Sequence, residues 1–184
     1  MRYLSERVGK FMTDKEKKAL HGRNNHDGMN HIFSVISDEE CERVVVEKES
    51  IYQRLVREGN HQLARGLTDL LNFSNEKGAP FTIATASGKF NVDFYFRYLK
   101  IGEYFDVKRV VYDNGKIPGK PNPDMYLKAM KLLDAKPENT IIFEDSYTGI
   151  EAAEGSGLLK SSSWIPITSL IQTTITPLSK TLTR

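Results

Sequence analysis

The chain has 184 residues, enough to bury one good core or a core with a small accessory domain, and its formal net charge of +2 comes from acids and bases mixed along most of its length. That balance leaves no basic footprint for nucleic acid, and Lys15-Glu16-Lys17-Lys18 reads as the solvated face of a helix. Cys41 is the single cysteine, which excludes an internal disulfide framework and a cysteine zinc site, and no apolar stretch is long enough to cross a bilayer. The amino terminus is polar and charged where a signal peptide has an apolar run, so the expectation is a cytoplasmic monomer with neither nucleic acid nor membrane as partner.

Residues 1–77 read as a helical domain with short polar turns. Ser37-Asp38-Glu39-Glu40 has the form of a capping box, with an acid three residues after a hydroxyl. Val44, Val45, Ile51, Tyr52, Leu55 and Val56 then return at helical spacing until Gly59-Asn60. A further helix runs through Leu67, Leu70, Leu71 and Phe73 and closes at Lys77-Gly78.

From residue 78 to about 160 short β-type runs alternate with amphipathic helical ones. Strands are predicted at 81–84, 107–112 and 140–143, and helices at 91–99, 124–133 and from 146 to 153. This alternation implies a parallel sheet with right-handed crossovers, an α/β core of Rossmann type. Residues 161–184 are rich in Ser and Thr, and no acid follows Glu154. Trp164, Ile165 and Ile167 could form one more strand, whereas 173–184 shows no period and reads as a loosely held, divergent tail.

In an open parallel sheet, loops and helix N-termini converge at the carboxyl ends of the strands. Three such ends carry polar groups. Thr85-Ala86-Ser87-Gly88 offers a hydroxyl and backbone N–H groups to one phosphate oxygen. In Gly119-Lys120-Pro121-Asn122-Pro123-Asp124, Asn122 is placed to cap a helix starting at Pro123, and Pro121 restricts the direction in which Lys120 leaves the backbone. Glu144-Asp145 sets two acids side by side at the end of a buried strand, a costly arrangement without a cation or base nearby. Oxygen donors of this kind suit Mg2+. Taken singly, Thr85 also suits an ordinary helix cap, Lys120 a surface turn and Asp145 the cap of the next helix.

Hydroxyl, lysine and acid pair in this order resemble the haloacid dehalogenase superfamily of phosphatases and phosphomutases, in particular its β-phosphoglucomutase-like branch. The likeness covers about 66–157 and includes Gly149-Ile150-Glu151-Ala152-Ala153, small residues that let a helix approach the sheet. It implies that Thr85, Ala86 and Ser87 bind the phosphoryl group, that Lys120 balances charge between phosphate and nucleophile, and that Asp145, assisted by Glu144, holds Mg2+. Residues 1–77 are then the cap over the core at 78–160. Within the cap, Arg23, Asn24, Asn25 and His26 form the expected substrate-reading turn and Lys48 a second contact, although both also suit solvated cap surface.

The resemblance further implies a nucleophile in an Asp-x-Asp motif on a central strand, between the strands ending at Thr85 and Phe143. No Asp in this chain has another Asp two positions later, and no apolar strand precedes Thr13. The expectation is therefore an amino-terminally truncated cap and an incomplete core, or a natural form without phosphoryl chemistry. Either way two strand edges would be unmatched and the stability low. Two functions follow: a phosphatase or phosphomutase acting on a small phosphorylated metabolite, a sugar phosphate, through an aspartyl-phosphate in the complete protein; or a non-catalytic, phosphate-binding regulatory domain. A nucleotide-binding domain is disfavoured, because neither a Walker-type loop nor a Gly-x-Gly-x-x-Gly turn is present.

Overall fold

The structure is a computed structural model that describes residues 6, 11–20, 22–32, 37–158 and 173–177. The amino-terminal part is helical: α1 (Asp14–Leu20), α2 (Asn25–Ile32), α3 (Asp38–Glu58) and α4 (Leu67–Glu76). Ser37 caps α3 by accepting from the Glu40 N–H at 3.2 Å. Glu40 does not complete the box; its carboxylate takes Arg43 at 2.7 Å one turn on, a better partner for a charge than a backbone amide. Met29, Cys41 and Val44 form a small core of their own.

The second part continues as β1 (Thr82–Gly88), α5 (Lys89–Tyr98), β2 (Val111–Asp113), α6 (Asp124–Leu132), β3 (Thr140–Glu144) and α7 (Tyr147–Gly155). The strand predicted over 107–112 is shorter than its apolar pattern. Asp106 accepts from the Lys108 N–H at 2.9 Å and turns Val107–Arg109 into a 3-10 helix, so pairing begins only at Val111. Successive strand residues enter opposite cores, as the period of two requires. Ile83, together with Val110 just before β2, packs with Leu67, Leu71 and Val92 on one face of the sheet. Ala84 and Val111 pack with Met125, Tyr126 and Ala152 on the other.

The largest departure from the sequence expectation is β4 (Thr173–Pro177), in the stretch read as an aperiodic tail. It lies between β1 and β3 in a sheet of order β2-β1-β4-β3. Thr82 and Ile83 pair with Ile175 and Thr174, and the residues of β3 pair with β4 from Thr140↔Pro177 to Glu144↔Thr173, antiparallel in both ladders. The edges expected to be unmatched are thus paired by the chain's own segment, which removes the reason for predicting low stability. Residues 164–167 lie outside the described residues. Because β1 and β3 both oppose β4, they run parallel to each other, and their carboxyl ends meet at one edge of the sheet. Among the described residues no helix is long and apolar enough to cross a membrane.

Candidate functional site

Each strand end proves more specific than its local sequence. Thr85 does not cap a helix: α5 starts after Gly88, which makes no side-chain cap, and the Thr85 hydroxyl accepts from the Ser87 N–H at 3.1 Å. The end of β1, where its pairing with β2 shifts register between Thr85 and Gly88, is therefore folded around that hydroxyl, with Ala86 and Ser87 on the wall of a cavity of about 400 Å³.

Lys120 is no surface lysine. It is 1 % exposed, its Nζ donates to Glu144 Oε2 at 2.7 Å, and it lies 4.9 Å from the Tyr126 ring centroid. Burial pulls its ammonium below the ordinary lysine value, while Glu144 and Asp145 pull it back up. The helix after it begins at Asp124 rather than Pro123, and Asn122 donates to the Gly119 carbonyl at 3.0 Å, so it ties the loop to itself and caps nothing.

The two acids have different environments. Glu144 Oε2 also accepts from the Tyr126 hydroxyl at 2.6 Å. Its Oε1 accepts from the Ser146 N–H at 2.9 Å, the Ser146 hydroxyl at 2.6 Å and the Asp145 N–H at 3.2 Å. Gly149 brings α7 so close that a Cβ there would collide with the Glu144 carboxyl group. Glu144 thus ties the lysine loop to the start of α7, and both of its oxygens are occupied in doing so. Asp145 is half-buried and does not cap α7; Ser146 does, accepting from the Gly149 N–H at 3.1 Å. Among the described residues no group of three His, Cys, Asp or Glu could hold a metal. Magnesium needs only one or two carboxylates, with waters and a phosphate completing its shell, so Asp145 alone fits such an ion.

The turn before α2 joins these ends. Gly22, at φ +84, lies against Ser146 and Thr148, and a Cβ there would strike both hydroxyls. Gly119 lies equally close to Asn24 and Asp27. Arg23, Asn24 and Asn25 line the same cavity as Ala86 and Ser87. His26 does not: it is exposed and its Nδ1 lies 3.1 Å from Asn30. Lys48 lines the cavity and is bonded to Asn25.

Sequence reading missed the far wall. Glu49, Asn91, Tyr52 and Tyr95 line the cavity on α3 and α5. Tyr95 donates to the Tyr52 hydroxyl at 3.1 Å, and burial raises the pKa of both phenols, so both stay protonated. Tyr52, having accepted one hydrogen bond, keeps its own proton to offer. The helical period of α3 marked Tyr52 as apolar, and only the approach of α5 reveals its polar end.

A family model described as haloacid dehalogenase-like hydrolase matches residues 5–157. A phosphorylated carbohydrates phosphatase of Thermotoga maritima is 27% identical over 162 residues, covering 85% of this chain and 72% of that protein. Protein CbbY of Cereibacter sphaeroides is 34% identical over 107 residues, which is 56% of this chain and 46% of the relative. Among solved structures, a family IA, variant 3 hydrolase of Entamoeba histolytica superposes with a TM-score of 0.73 at 32% identity, covering 85% of this chain and 71% of that one.

Proposed function

Because the chain belongs to the haloacid dehalogenase-like hydrolases, we propose that it binds a small phosphorylated metabolite, a sugar phosphate, between its helical cap and its sheet, and that in a complete phosphoryl-transfer centre this ester is hydrolysed or isomerised. The observation that carries the reading is the Gly22–Asp27 turn, which touches Gly119 and Ser146 and lines one cavity with Ser87, so that the cap is closed over all three strand ends at once.

The chain's own groups divide the work. Thr85 and the N–H groups after it receive the phosphate oxygens. Lys120 brings positive charge to the same edge of the sheet, and Glu144 holds its ammonium in place. Asp145 would hold Mg2+, which supplies Lewis-acid polarisation of a phosphoryl oxygen when bound. The turn and α3 exclude water and select the leaving group.

An aspartyl-phosphate requires a carboxylate beside Thr85 and Asp145. The sequence has no Asp-x-Asp pair, and β4, which lies between β1 and β3, has no acid. These two facts favour a second reading, in which this chain binds phosphate without transferring it.

Two measurements test the proposal. Inorganic phosphate should broaden in 31P NMR on addition of the chain, and Thr85→Val, which removes one hydroxyl at nearly constant volume, should weaken that binding about tenfold. No broadening, or broadening indifferent to the substitution, would refute phosphate binding. Turnover of an aryl phosphate with magnesium, lost in Asp145→Asn, would reject the binding-only reading.

A further inference from the structure

The cavity has an acid that the phosphate site does not explain. Glu49 lies on its wall, only 7 % exposed. A carboxylate so nearly sealed is costly unless other groups compensate it, and here two do. Glu49 Oε1 lies 2.6 Å from Lys48 Nζ, and Oε2 accepts from Asn91 Nδ2. Asn91 is fixed in turn, its Oδ1 accepting from Gln53 at 3.0 Å. The network spans cap and core, because Lys48, Glu49 and Gln53 belong to α3 and Asn91 to α5.

Charge decides what this wall can accept. Lys48 is a cation facing a site for phosphate esters, and alone it would attract a second phosphate at the distal end of the ligand. Glu49 cancels that charge at contact distance and leaves carboxylate lone pairs on the wall that also carries Tyr52. Hydroxyl groups can donate to a carboxylate and accept from a phenol, whereas a second phosphate can only be repelled by the carboxylate.

We propose that Glu49 is the specificity-determining residue of this cavity, making it select a polyhydroxylated phosphate monoester over a bisphosphate. The inference rests on the phosphate-binding reading above and adds the class of ester. Glu49 has no part in binding the first phosphate.

The test is calorimetric titration of the chain with three probes: inorganic phosphate, fructose 6-phosphate and fructose 1,6-bisphosphate. The parent should prefer the monoester. Glu49→Gln should shift the ratio of the two ester affinities toward the bisphosphate by about tenfold, the effect of removing one charge at short range, and leave inorganic phosphate unchanged. Lys48→Gln, which leaves Glu49 uncancelled, should shift the ratio the other way. A folded Glu49→Gln variant with an unshifted ratio overturns the inference. If that variant does not fold, a Lys48→Gln ratio that is unchanged or moved toward the bisphosphate overturns it. A parent that binds all three probes but prefers the bisphosphate refutes this inference alone, whereas a parent that binds none of them refutes the phosphate-binding reading with it.

Discussion

Glu144→Gln is the substitution whose cost the structure defines best. The exchange keeps the volume and shape of the side chain but replaces one acceptor oxygen by a donor. Oε2 receives Lys120 and Tyr126, and Oε1 receives Asp145 and both groups of Ser146. These five hydrogen bonds all point into the carboxylate, so the amide NH2 must face donors whichever way it turns. The Lys120 and Glu144 side chains are 1% and 4% exposed, so water cannot take over. Removing one partner of a buried ion pair leaves an uncompensated charge and costs about 3–5 kcal/mol. Set against a typical domain stability of about 5–15 kcal/mol, that is a large share. The loss should depend on pH. Burial already lowers the Lys120 pKa, and without Glu144 it falls further. In the window between that lowered value and the ordinary 10.5 the unfolded chain binds more protons, so stability rises with pH there and the variant recovers part of its loss. Urea titrations followed by circular dichroism measure both effects, with the slope m confirming that the same surface is exposed. The double variant Lys120→Met/Glu144→Gln should lose clearly less than the sum of the single losses. A single-variant loss below about 1 kcal/mol, or additive losses, would refute the reasoning.

Three further outcomes are expected. Ile175→Pro removes a backbone donor from a strand paired on both sides, with Thr82 and Ile142, and should cost about 3 kcal/mol or more and accelerate amide exchange in β3; unchanged protection there would remove β4 from the sheet. Gly119→Ala should push Asn24 and Asp27 off the lysine loop, seen as faster amide exchange across α2 while the α6 amides keep their rates; equal acceleration in both helices would mean general destabilisation instead. Burial raises the Asp113 pKa above the ordinary aspartate value of 3.8. A raised acid contributes stability that is fully present below 3.8 and lost as pH rises through the folded value. Asp113→Asn should therefore lose less stability than the parent as pH rises above 3.8, and parallel stability curves for the two proteins would contradict this.

How much of the site was legible follows from the range of its interactions. The turns at Thr85, Lys120 and Glu144 stand out because a hydroxyl, a proline-framed lysine or an acid pair at the end of an apolar run is a local pattern. What those groups do is not local. Lys120 meets Glu144 across 24 residues, and Glu49 meets Asn91 across 42. Nothing in the α3 period separates a carboxylate held in a cavity wall from one in solvent.

Sequence by itself determined the alternation of helices and strands after residue 78, the helical character before it and the polar strand ends, since each depends on residues within one or two turns of one another. Tertiary structure alone decided that a Thr-rich stretch becomes the strand between β1 and β3. A strand flanked on both sides takes its conformation from the backbone groups of its neighbours, and those groups carry no signature in the residues that pair with them.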